Sequence, residues 1–143
     1  MKKITIAVAI LLTASLANAQ KIADKEVPSA VKEALQKQYP AAKKVKWDKE
    51  QANYEAGFEA TGTEYSVLLD SKGAILETEV EIKIDAMPAK IKEYVSKKYP
   101  GEKIKEAAKI TNSKGIVTFE AEVKGKDLIF DNTGNFLKEE TAG

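Results

Sequence analysis

The sequence predicts an α+β fold: two tandem α-β-β-β-β repeats forming one continuous curved antiparallel sheet, with both helices on one face. Three observations predict it. Val27-Pro28-Ser29-Ala30-Val31-Lys32-Glu33-Ala34-Leu35-Gln36-Lys37-Gln38-Tyr39-Pro40 returns, displaced by 60 residues, as Met87-Pro88-Ala89-Lys90-Ile91-Lys92-Glu93-Tyr94-Val95-Ser96-Lys97-Lys98-Tyr99-Pro100. A duplicated unit of this size sets the architecture before any other feature. After each copy the apolar period changes from helical to two. The turn Asp70-Ser71-Lys72-Gly73 recurs as Asp131-Asn132-Thr133-Gly134, displaced by 61, so the copies stay in register to the end. A unit of about 60 residues buries little apolar surface by itself, which argues for one sheet built by both.

The chain opens with Lys2 and Lys3, an apolar run Ile4 to Leu12 and a small-x-small site Ala17-Asn18-Ala19. This reads as a secretory signal peptide over residues 1–19, with Gln20 the new N-terminus. The run is too short for a membrane span, so no stable span is expected after cleavage and the protein is expected in the periplasm or secreted. The first repeat then covers residues 20–84 and the second 85–143.

In each repeat the helix comes first. Val27, Val31 and Leu35, like Met87, Ile91 and Val95, fall at helical spacing. Pro28 and Pro88 suit a first turn. Asp24, Glu26 and Asp85 lie just upstream and complement the positive end of the helix dipole. Pro40 and Pro100 end the helices by pushing Tyr39 and Tyr99 out of the α region.

Alternation then marks the strands. Val45 and Trp47 alternate with Lys44, Lys46 and Asp48; Tyr54, Ala56, Phe58 and Ala60 alternate with Glu55, Gly57 and Glu59. After Thr61-Gly62-Thr63, Tyr65, Val67 and Leu69 follow in the same phase, and a fourth strand is expected from Ala74 to Ile84. The second repeat follows the plan with Ile104 to Thr111, Val117 to Val123, a strand around Leu128 and Phe130, and Asn135 to Glu139. The tail from Glu140 to Gly143 is expected to fray.

Composition removes several function classes. All 23 basic residues are lysine, and the sequence has no Arg, His or Cys. The usual zinc, copper and haem ligand sets are missing, as are Ser-His and Cys-His nucleophile pairs. No bidentate fork exists for phosphate. Removing Lys2 and Lys3 takes the formal charge from +1 to −1, which argues against nucleic acid as a partner. No cofactor, metal or catalytic residue is expected, and the protein is read as not an enzyme. Asp70 to Gly73 and Asp131 to Gly134 lack the alternating carboxylates of a calcium loop. Asp first and Gly last is hairpin-turn chemistry.

The informative constellation is the strand phase opposite the core. If the apolar phase faces the helices, the other phase is wet. It collects Glu55, Glu59, Glu64, Glu77, Glu79, Glu81, Glu120, Glu122 and Asp127, with Leu68, Ile75 and Ile129 as apolar exceptions. An open acidic face with apolar spots suits a protein or peptide partner, a basic one being steered by the field. A merely solvated sheet face gives the same pattern.

The stretch Ile82 to Gly101, with Phe119-Glu120-Ala121-Glu122-Val123-Lys124-Gly125-Lys126 and Phe130-Asp131-Asn132-Thr133-Gly134-Asn135-Phe136, resembles the secreted β-lactamase-inhibitor-like, PepSY-like family. The resemblance covers nearly all the chain beyond residue 19, in two copies. It implies a fold like that of the β-lactamase inhibitory protein and binding through the open side of the sheet. It carries over no inhibitory residue, because shared fold is weak evidence for shared function. The resulting expectation is an exported, non-enzymatic binding module; inhibition of a periplasmic hydrolase is a specific version. The alternative is a small-ligand or cation-binding envelope or stress protein.

Overall fold

The computed structural model describes residues 19–142. The predicted signal peptide, apart from Ala19, lies outside them. Nine strands follow in chain order in one antiparallel sheet: β1 Gln20–Ile22, β2 Lys43–Glu50, β3 Asn53–Ala60, β4 Thr63–Leu69, β5 Ile75–Glu81, β6 Ile104–Asn112, β7 Val117–Val123, β8 Lys126–Asp131 and β9 Phe136–Thr141. Two helices, α1 Ser29–Gln38 and α2 Ala89–Lys98, open the repeats. The tandem repeat is therefore the architecture. Two compact units divide the chain. One holds the described residues up to Val80 with Asn112–Gly115, and the other holds Glu81–Thr111 with residues from Ile116 onward.

Each helix is delimited as the prolines dictate. Pro28 and Pro88 are the residues before the first turn, and Tyr39 and Tyr99 leave the helical region at φ −128° and −127°. Before each helix the chain makes a short 3-10 turn, Asp24–Glu26 or Ile84–Ala86. Asp24 and Asp85 sit on these turns and reach forward to Lys32 at 2.9 Å and Lys92 at 2.8 Å. Such exposed pairs fix orientation more than they stabilise.

Three differences from expectation exceed a single residue. β1 has no counterpart among the expected strands: Gln20-Lys21-Ile22 is polar and short, and only its pairing with Trp47 to Lys49 makes it a strand. β5 stops at Glu81, because the 3-10 turn at Ile84–Ala86 needs the chain to leave the sheet. Glu140 and Thr141 do not fray, because they pair with Asp127 and Lys126.

In the amino-terminal unit, Val31 and Leu35 of α1 pack on Trp47, Tyr54, Ala56, Phe58, Val67 and Leu69. These are the alternating residues the sequence assigned to the core. In the carboxy-terminal unit, Ile91 and Val95 of α2 pack on Ala107, Ala121, Val123, Leu128 and Phe130. The turn carboxylates bond the backbone. Asp70 Oδ1 accepts from the amides of Lys72 and Ala74, and Asp131 Oδ1 from those of Thr133 and Asn135, all at 2.9 Å.

Trp47 is buried and its indole Nε1 has no hydrogen-bond partner among the described residues. Its worth to the fold is its ring area. Trp47→Phe is therefore expected to cost about 1–2 kcal/mol, the share of the lost ring volume alone, since an unmade bond cannot be lost. A urea titration followed by far-UV circular dichroism checks this; a loss of about 3 kcal/mol would reveal a hidden polar role.

Candidate functional site

The sheet face away from each helix carries the carboxylates, and strand register fixes who stands beside whom. In the amino-terminal unit Asp48 of β2 lies opposite Glu55 of β3, Glu55 opposite Leu68 of β4, and Leu68 opposite Glu77 of β5. The neighbouring row runs Lys46, Gly57, Ser66 and Glu79. In the carboxy-terminal unit Glu106, Glu122, Asp127 and Glu140 form one row across β6 to β9. Beside it run Ala108, Glu120, Ile129 and Lys138. Like charges directly opposite one another oppose folding, so these rows are costly features.

The expectation that this phase is wet is corrected. Glu55 and Glu120 are 8% exposed, and Glu79 and Asp127 3%. Leu68 and Ile129 are buried with them. Glu59 and Glu81, at strand ends, are exposed, while Glu64, Glu77 and Glu122 lie between the extremes. Parity set the face correctly. Exposure failed because a residue of an inner strand has a cross-strand neighbour on each side: Glu55 stands between Asp48 and Leu68, and Asp127 between Glu122 and Glu140. Ile75 is a second correction. A bulge at Leu76 lets Leu69 pair with Ile75 while Leu68 pairs with Glu77. Ile75 is thereby turned to the helix side, where it packs on the core. Ile110 of β6 joins Ile129 in a small apolar pair of its own.

Burial and crowding set the electrostatics. Burial pushes the Glu55 carboxyl up to about 8; the Ser66 hydroxyl, donating at 2.5 Å, opposes this, and Glu50 and Asp48 add to the rise. Glu50 is raised as well, chiefly by its own burial. Asp127 is pushed up to about 6 by burial, then by Glu122, Glu140 and Glu106, with Lys105 opposing. Two lysines temper this row: Lys105 bonds Glu122 at 3.1 Å, and Lys138 pairs with Glu140.

Sequence reasoning did not single out Asp48, Glu50, Ser66, Glu106 or Glu140. Counting parity back across the Gln51-Ala52 turn would have found Asp48 and Glu50. Glu106 was hidden by the register shift between Ile104 and Glu106. Chemically, the rows can hold protons or accept cationic groups. Within each unit they stand side by side on neighbouring strands.

A family described as putative beta-lactamase-inhibitor-like, PepSY-like matches residues 15–77 and again residues 63–138. The fold is similar to the crystal structure of a putative periplasmic protein from Bacteroides eggerthii, at TM-score 0.73 and 18% identity, covering 80% of this chain and 88% of that one. It is also similar to a BLIP-like protein from Bacteroides fragilis, at TM-score 0.62 and 30% identity, covering 80% and 86%. No curated protein matches the chain.

Proposed function

The chain belongs to the beta-lactamase-inhibitor-like, PepSY-like family, and from that premise we propose an exported, non-enzymatic module that binds a protein or peptide through the carboxylate-bearing face of its sheet. One observation carries the reading. Glu55 and Asp127 stand buried on inner strands beside other carboxylates, a placement that raises their proton affinity and opposes folding. Groups perturbed in this way cluster at functional sites. A partner bringing lysine or arginine would relieve the crowding and be steered by it. The likeness to a BLIP-like protein supports protein recognition, and the B. eggerthii neighbour supports a periplasmic setting. Among the described residues no helix is long and apolar enough to cross a membrane. The absence of His, Cys and Arg from the sequence supports binding over catalysis.

The test is capture from an envelope extract by three immobilised proteins: the native chain, Glu59→Gln/Glu64→Gln/Glu77→Gln, and Lys37→Gln/Lys97→Gln/Lys98→Gln. The native and helix-lysine forms are expected to retain the same species. The sheet variant is expected to lose it, as is the native form at high salt. A species held equally by the sheet variant would sink this reading of the face.

A further inference from the structure

β9 stands last in the sheet order, so among the described residues its hydrogen-bonding edge has a strand neighbour on one side only. Leu137 is 53% exposed on it, while Phe136, 37% exposed, stacks on Tyr94 with ring centroids 4.8 Å apart. Leu137 occupies the bulge between Phe136 and Lys138. Edges of this kind are normally guarded by charge, and Lys138, Glu139 and Glu140 supply it. The order of those charges is self-complementary. When two such strands run antiparallel about a two-fold axis at Glu139, each Lys138 faces the other chain's Glu140, and this happens twice.

We propose that β9 pairs with β9 of a second copy of this chain, in an isologous antiparallel contact centred on Glu139. Lys138 and Glu140 already form an ion pair within one chain, so association exchanges internal partners for identical external ones. The two Glu139 side chains meet on the opposite face. Each is already bonded by Lys126 Nζ and by the Tyr99 hydroxyl, both at 2.8 Å, which blunts their mutual repulsion. A foreign strand offers no such match. The charges that turn other edges away therefore select this one. One strand pair is a small interface, so the dimer is weak. The contact is made through the backbone edge of β9; Lys138 and Glu140 also end the two carboxylate-face rows, but Glu59, Glu64 and Glu77, which test the sheet-face reading, lie outside it.

Sedimentation equilibrium of the native protein, Lys138→Glu, Glu140→Lys and their equimolar mixture tests it. The native protein is expected to dimerise reversibly in the high micromolar range. Each reversal alone places like charges opposite and is expected to weaken the dimer at least about tenfold. In the mixture the carboxylate introduced by Lys138→Glu faces the ammonium introduced by Glu140→Lys. The unchanged Glu140 of the first variant then faces the unchanged Lys138 of the second, so both pairs are restored and the dimer with them. Leu137→Lys, at an exposed bulge where folding is not at risk, is expected to weaken the dimer comparably. A native protein monomeric up to about 1 mM, a dimer indifferent to these changes, or a mixture that stays monomeric would overturn the proposal.

Discussion

Gly73→Ala is expected to cost the fold about 3 kcal/mol, and its repeat counterpart Gly134→Ala about 2 kcal/mol. Both glycines sit in the left-handed region, at φ +89° and +92°, where an L side chain costs about 1–2 kcal/mol. The difference lies in what an added Cβ would meet. At Gly73 it would stand 2.7 Å from the Ala30 carbonyl oxygen and 3.0 Å from Ala34 Cβ. That oxygen is helix backbone, so α1 itself must shift, and forced shifts of this kind cost about 1–3 kcal/mol. At Gly134 the nearest atoms are Lys90 Cβ at 3.0 Å, Pro88 Cβ at 3.3 Å and Ile91 Cγ1 at 3.4 Å. Lys90 Cβ and Pro88 Cβ move only with their backbone, but the approach is less close than at Gly73, so a smaller shift relieves it. Urea midpoints of the two variants decide the matter. Equal losses at the two positions would mean that conformational strain, which their like φ values share, and not the close approach to α1, sets the cost.

These turns show why so much of the fold was legible. Pro, Tyr-Pro and Asp-x-x-Gly act locally: each restricts φ and ψ, or bonds backbone within four residues, so its meaning survives any tertiary context. Alternation is almost as local and placed Trp47, Phe58, Val67 and Leu128 correctly. Illegible features depended on neighbours distant in sequence. Ile75 changed face because one bulged residue, Leu76, resets parity, and nothing within the strand announces it. The burial of Glu55 and Asp127 depends on which rows stand beside them, so polar character alone misjudged their exposure. The side of the sheet on which Glu55, Glu120 and Asp127 stand was therefore readable from the residues; the side of Ile75 and the electrostatic state of the carboxylates were not.

That state has a consequence with an unusual sign: the protein is expected to be more stable in mild acid than in mild base. A carboxyl whose proton affinity is raised by folding binds its proton more tightly when folded than when unfolded. Its ionisation then destabilises the fold, and stability falls as pH rises between the unfolded and folded values. Glu55 places that loss between its ordinary 4.5 and about 8, and Asp127 between its ordinary 3.8 and about 6. Together they are expected to remove on the order of 2–4 kcal/mol between pH 4.5 and pH 8. Asp131, Asp85 and Glu139 act the other way. Hydrogen bonds from Asn135, Lys92 and Lys126 respectively lead in holding them below the usual carboxylate range. The stability they lend is present above their unfolded values and fades on stronger acidification, so the optimum should fall near about pH 4–5. Glu55→Gln isolates the largest contribution, because its amide oxygen still accepts the Ser66 hydroxyl while the charge is gone. The variant is expected to gain stability at about pH 8, to match the native protein near about pH 4.5, and to show a flattened profile between them. Thermal midpoints across roughly pH 4 to 9 measure this directly. A native maximum at about pH 8, or a Glu55→Gln variant weakened there, would show that the carboxylate is stabilised when ionised. The same linkage bears on binding: a cationic partner that pairs with ionised Glu55 must displace its proton, so its affinity should rise with pH over the range in which the free protein loses stability.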